Sequence, residues 1–371
     1  MDRRFQVGIS GSYGGMNMGD EAILESMIAQ LRKELNVEIS VFSRNPEDTL
    51  RRYKVERAFP VRRMSRAEAR SKIQGLDVFV LGGGGILYDG EAEVFLREVF
   101  LAQELGVPAM IYAISVGPLK NQTSRSMVRE ALNHAALVTV RDRQALYLLE
   151  EIGVRREIHL TADPALVLES EILPEGALER EGIDEKHRLV GFSVREPGPA
   201  APDIDPDHYG VLLANAADYM ADRLNATIIF FPMERKYMDI QYSHAVISRM
   251  QLADRATVLK GDYTPGQIMS FIGRLQFAVG MRLHFLIFAA QQGVPFVSLP
   301  YASKVRGLIE DLEMHMPPLG RVNSGRLIAN IDYSWDMQEE LRDHIRRLLP
   351  PLQERARENN ALLVRFLKNR D

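Results

Sequence analysis

The chain is 371 residues long, which is generous for one hydrophobic core and predicts about two domains. Its 46 Lys and Arg stand against 50 Asp and Glu, a net charge of −4, so there is no global basic field for a dedicated nucleic-acid binder. Cysteine is absent, which excludes disulfides, thiolate metal sites, iron–sulfur clusters and cysteine nucleophiles.

The run FQVGIS (5–10) opens a strand almost at once, without the apolar core of a signal peptide. No apolar stretch approaches the roughly 20 residues that cross a bilayer, so a cytoplasmic protein is expected. Residues 20–35 place Leu24, Met27, Ile28, Leu31 and Leu35 at helical spacing, and VEISVF (37–42) returns to a strand. Apolar runs at 77–81, 108–115, 137–140 and 157–160 continue the series, with helical patterns over 91–105, 123–136 and 143–152. Strands alternating with helices predict parallel βαβ units and an open sheet covered on both faces.

The alternation breaks over 171–188, a polar stretch containing Pro174 and Gly176 that reads as a linker. It resumes with strand-like runs at 189–194, 226–232, 256–261, 277–281 and 295–300. The expected organisation is α/β throughout. One Rossmann-type domain covers 1–170 and a second 189–336, facing each other across a cleft. A helical segment over 337–371 is interrupted at Pro350 and Pro351. Such a segment either crosses back to the first domain or lies on the surface as an amphipathic helix.

Open parallel sheets bind ligands at the carboxyl ends of their strands. Here those ends carry glycines and cations. GSYGGMNMGD follows the first strand, but Gly11 and Gly14 are three apart, not two as in a dinucleotide fingerprint, and no Walker lysine follows. Gly14 and Gly15 also suit a tight turn. Asn17 suits a helix cap, and Asp20 and Glu21 suit a first helical turn. Gly82, Gly83, Gly84 and Gly85 read as a loop whose backbone can approach a ligand or the opposing domain. Arg141, Arg195 and Arg282 each follow an apolar strand, and Lys304 follows the last one. Pairing with a carboxylate is the alternative for Arg141 and Arg195, and Asp163 can simply open a turn before Pro164. His284, two residues beyond Arg282, is either a satisfied core histidine or a working one. No second histidine lies three or four residues from it and no HExxH occurs, so metal binding is not expected.

Taken together, GGMNMGDEAIL, LGGGGILYD, ISVGPL, VTVRDRQAL, DPAL, FPM, MRLHFLIFAAQQGVPFVSL and KV occur in the order found in the polysaccharide pyruvyl transferases. The resemblance runs over about residues 7–310 and is closest to the bacterial branch acting on a mannosamine-containing cell-wall polymer. It implies a GT-B-like architecture, phosphoenolpyruvate (PEP) as donor, a sugar acceptor and a pyruvate ketal as product, with phosphate released and no metal or cofactor. One departure is YASKV (301–305), where relatives often carry an aspartate and a proline ahead of the lysine.

PEP brings a phosphate and a carboxylate, which arginine can bind bidentately. By resemblance and strand-end position, Arg141, Arg282 and Lys304 are assigned to the donor, with Arg195 a weaker candidate. Gly14, Gly15, Asn17, Asp20 and Gly82 to Gly85 fall to the acceptor side. His284 is assigned the proton transfer, since histidine titrates near neutrality. The acceptor implied is N-acetylmannosamine, on a lipid carrier in that branch, which would bring the enzyme to the inner face of the membrane. The stretch 346–370, with arginines beside leucines, could lie on anionic lipid or pack as a solvated helix. The rival functions are a nucleotide-sugar glycosyltransferase of the same shape and a non-catalytic sugar or phosphate binder.

Overall fold

Two parallel sheets organise the chain in a computed structural model, which describes residues 3–197, 205–234, 239–299, 303–314 and 323–370, the side chains of 303 and 304 excepted. The first sheet contains β1 (Phe5–Ser10), β2 (Val37–Ser43), β3 (Arg57–Pro60), β4 (Val78–Leu87), β5 (Ala109–Val116), β6 (Leu137–Val140) and β7 (Ile158–Leu160), in the order β3-β2-β1-β4-β5-β6-β7. The second contains β8 (Arg188–Ser193), β9 (Ala226–Phe230), β10 (Ala256–Val258), β11 (Phe277–Gly280) and β12 (Phe296–Ser298), in the order β10-β9-β8-β11-β12. Helices connect the strands, giving two α/β units of the GT-B-like class.

The apolar runs form central strands because both faces are covered. Along β4, Phe79 and Leu81 enter one core and Val78 and Val80 the other. Strand order reverses between β1 and β4 in the first sheet and between β8 and β11 in the second. Such switch points leave a crevice at the carboxyl strand ends, where ligands of open α/β sheets bind. Each sheet therefore nominates its own edge.

The compact units are Met1–Leu168 with Leu352–Asp371, and Glu169–Pro351. Three sequence readings need correction. The segment 171–188 is not a free linker. Its Glu171 carbonyl accepts from Ser270, and the buried Glu181 carboxylate accepts from the Lys260 and Gly261 amides (2.7 Å each) and the Tyr263 hydroxyl (2.9 Å). Pro350 and Pro351 do not interrupt the last helix, which runs unbroken over Gln338–Lys368. Buried Leu349 and Leu352 flank the two prolines and pack the axis through them, despite the missing N–H donors. Finally, Gly82 to Gly85 are not a loop. They extend β4, paired with β5 through Gly82↔Tyr112, Gly84↔Ile114 and Gly85↔Ser115.

Candidate active site

In the first unit the β1–β4 switch point is built from its own side chains. Asn17 caps the helix Met18–Glu34, its side chain accepting from the Gly19 amide at 3.0 Å. Glu21, in the first turn, is buried and accepts from the Gly14 amide (2.8 Å) and the Tyr53 hydroxyl (2.7 Å). Burial pushes its carboxyl above the ordinary range, while these two bonds pull it back. Gly14 has φ +70, and a β-carbon there would lie 2.2 Å from Ser43 Oγ, so glycine is required by the turn itself. Gly15 faces the Arg44 guanidinium.

The glycine run serves internal packing first. A β-carbon on Gly82 would lie 2.4 Å from the Tyr13 hydroxyl, one on Gly83 2.2 Å from Ile23 Cγ2, and one on Gly84 2.9 Å from Asp20 Oδ1. The helix Met18–Glu34 therefore lies directly on the end of β4, and Gly85 alone of the four is exposed. Tyr13 is fully buried, and its phenol is pushed far above its ordinary range by burial and then by nearby Asp20. Beside β1 opens a cavity of about 640 Å³, whose lining includes Ser10, Gly11, Phe95, Arg97, Glu98 and Met127.

Two strands along, Arg141 follows β6 and is 6% exposed. Its Nε donates to Ser115 Oγ at 2.7 Å and its Nη1 pairs with Asp163. Asp163 also accepts from the Ala165 amide at 3.0 Å, capping the 3-10 turn Pro164–Val167. The pairing alternative for Arg141 is thus realised with Asp163, and Asp163 opens its turn as well.

In the second unit the β8–β11 switch point gathers different residues. Met281 N donates to Ser193 O at 2.8 Å, which sets the end of β11 beside that of β8, so Arg195 and Arg282 leave neighbouring strands. Arg282 is the N-cap residue of the helix Leu283–Gln291 and 8% exposed. Its Nε donates to Asp239 Oδ2 at 2.9 Å, and its Nη2 to Glu234 Oε2 at 3.0 Å and to Asp239 Oδ1. Asp239 is 1% exposed and also accepts from the Met233 and Glu234 amides. Burial pushes its carboxyl up, and the Arg282 guanidinium opposes that shift. His284 is half-buried in the first turn of the same helix. Lys304 lies in the first turn of the helix Ser303–Asp311, but its side chain, and Tyr301 and Ala302, are outside the described residues.

A sequence model of the family "polysaccharide pyruvyl transferase" matches residues 17–303. The chain belongs to that family. Members of that family are enzymes, and the candidate groups of the transferase lie at strand ends in both sheets. No curated protein matches the transferase in sequence. Solved structures share its fold at low identity. Anabaena Alr3699/HepE in complex with UDP and glucose superposes with a TM-score of 0.66 at 13% identity, covering 98% of this chain and 99% of that one. A glycosyltransferase from Rickettsia africae gives 0.65 at 10%, covering all of both chains. UDP-GlcNAc 2-epimerase from Neisseria meningitidis, bound to UDP-GlcNAc, gives 0.63 at 9%, covering 98% and 100%.

Sequence reasoning placed the cations of the transferase at strand ends but missed what holds them. Asp239 sits inside a polar stretch that reads as surface, with no periodicity to mark it as buried. Glu234 carried a weak signal, as it follows β9 closely. Among the described residues no group of three or more His, Asp or Glu is placed to hold a metal ion, and no helix is long and apolar enough to cross a membrane.

Proposed function

We propose that this polysaccharide pyruvyl transferase takes the pyruvyl group from PEP and places it as a ketal on two hydroxyls of a sugar in a surface-polysaccharide precursor, with phosphate released. The observation that carries this reading is the end of β11. There a buried arginine is fixed in plane by Asp239, one residue before a helix whose first turn holds His284. Asp239 and Glu234 take Nε and Nη2, so the clamped guanidinium presents Nη1 in a fixed direction and is preorganised for an anion on that side. The helix amino terminus adds its own attraction for negative charge.

The chemistry assigns each group a task. One sugar hydroxyl adds to C2 of PEP and loses its proton, while the methylene carbon gains a proton and becomes the methyl group. Phosphate then leaves C2, and the second hydroxyl closes the ring with loss of its own proton. His284 delivers and accepts these protons, Arg282 and Lys304 hold donor charge with Arg195 as a weaker candidate, and Arg141 is a further cation for the donor. On the first unit, the cavity beside β1 and exposed Gly85 offer the acceptor a polar and apolar lining of the kind that takes small ligands. N-acetylmannosamine, on a lipid carrier, is the acceptor this reading favours.

The test is phosphate release from PEP by purified protein, with and without an N-acetylmannosamine-terminated acceptor and without added metal. Release that depends on the acceptor, with a mass gain of one pyruvyl group on the sugar, supports donor and acceptor together. Turnover of a nucleotide sugar with no PEP consumption would overturn the reading in favour of a glycosyltransferase. Binding of either ligand without product would favour a non-catalytic binder.

A further inference from the structure

Asn359 lies in the helix Gln338–Lys368, beyond the residues that the family model reaches. It is completely buried, and every bond an amide side chain can make is used. Its Oδ1 accepts from Thr139 Oγ1 (2.6 Å) and Thr161 Oγ1 (2.8 Å). Its Nδ2 donates to the carbonyls of Ala162 (2.9 Å) and Ala356 (3.0 Å). Nothing in these contacts touches the reacting groups. Yet they lead to both partners of Arg141.

On one side, Thr139 Oγ1 accepts from the Ala113 amide at 2.7 Å. Ala113 has φ +49, a left-handed conformation unusual outside glycine, at the point where the β5–β6 register shifts. Such a conformation persists where the surroundings over-determine it. Two residues on, Ser115 accepts from Arg141 Nε. On the other side, the Ala162 carbonyl held by Asn359 directly precedes Asp163, the ion-pair partner of Arg141. The same helix supplies two more grips on this turn. Arg355 donates to the Thr161 carbonyl at 2.8 Å and Gln353 to the Leu166 carbonyl at 3.0 Å.

We propose that Asn359 is a positioning residue for Arg141, acting through Thr139 on the Ser115 side and through Thr161 and Ala162 on the Asp163 side. The polar face of the last helix thereby sets the arginine while contributing no group to the reaction. The proposal rests on the assignment of Arg141 to the donor anion. Asparagine suits this place because its short side-chain amide offers two acceptor and two donor sites in one neutral plane; aspartate would set charge against two carbonyls.

The experiment compares Asn359→Leu, Thr161→Val and Thr161→Ser, each alone and the first also with Arg141→Ala. The apparent KM for PEP is expected to rise about tenfold in Asn359→Leu and Thr161→Val, a mid-range coupling between contacting residues. Thr161→Ser, which keeps the hydroxyl, should restore it. Arg141→Ala should raise KM at least as much, and adding Asn359→Leu should then change nothing further. A purely structural role lowers Tm but leaves the KM of the folded enzyme in place, and effects that multiply in the double variant would also overturn the proposal. Hydrogen exchange over 161–167 needs no turnover. Faster exchange in Asn359→Leu supports the brace, and unchanged exchange sinks it. Faster exchange in a protein that does not consume PEP would retire the donor reading while leaving the brace supported.

Discussion

Arg282 occupies a place where a cation is electrostatically unfavourable, at the positive end of a helix and almost out of water. Asp239 and Glu234 explain how it stays there. Removing one member of such a pair strands the other. Arg282→Ala should therefore destabilise the fold by about 3–5 kcal/mol, in addition to weakening PEP binding. Adding Asp239→Asn should recover part of the stability and none of the binding, as read by denaturant melts and the KM for PEP. His284 makes the opposite prediction. His284→Ala should reduce turnover by roughly 10²-fold or more, the scale of a lost acid–base group, with Tm near that of the parent. A folded variant with full turnover would remove His284 from the chemistry. Glu21 offers a pH signature. Its carboxyl is raised by burial, so the folded chain binds this proton more tightly than the unfolded chain. Stability from this group is greatest below the ordinary carboxylate range of about pH 4 and falls as pH rises through the raised value. Glu21→Gln should flatten that slope in melts across the acidic range.

Strands buried on both faces were the easiest elements to read, because a short continuous apolar run bounded by glycine and polar residues has few other uses. β3, Arg57–Pro60, left no such mark. It is a short edge strand with exposed and half-buried residues, and sequence pattern is weakest there. The glycine run misled for a physical reason. Four residues without side chains look like a loop, but here Gly82, Gly83 and Gly84 remove the bulk that would keep Tyr13 and the helix Met18–Glu34 off β4. Gly83→Ala combines a φ of +44 with a clash on a branched side chain, and should cost about 2 kcal/mol or more, measured as a lower denaturant midpoint with an unchanged slope. At the candidate site, the cations were legible from strand ends and their counter-ions were not. Asp163 and Asp239 are written like any surface carboxylate, and only the fold shows that they are buried against Arg141 and Arg282. Asn359 is 198 positions from Thr161, and no local pattern links them.

For the molecule as a whole, the last helix decides whether the first unit is complete. Leu363, Val364 and Leu367 join the core that contains Val7, Ile9 and Val80. At roughly 1.5–3 kcal/mol for each large buried apolar side chain, their loss approaches the whole stability of an ordinary domain. A chain ended after Pro351 should therefore lose protection over 5–168 in limited proteolysis while 205–234 and 239–299 stay resistant.

The same division has a consequence for synthesis. Residues 169–351 form a unit continuous in sequence, whereas the unit begun by the first 168 residues is finished only by residues 352–371. At about 5–20 residues per second, roughly 10–40 s separate its two parts on the ribosome. During that interval the nascent first sheet presents an unfilled apolar groove where Leu363 and Leu367 will later sit. The domain begun first is thus completed last.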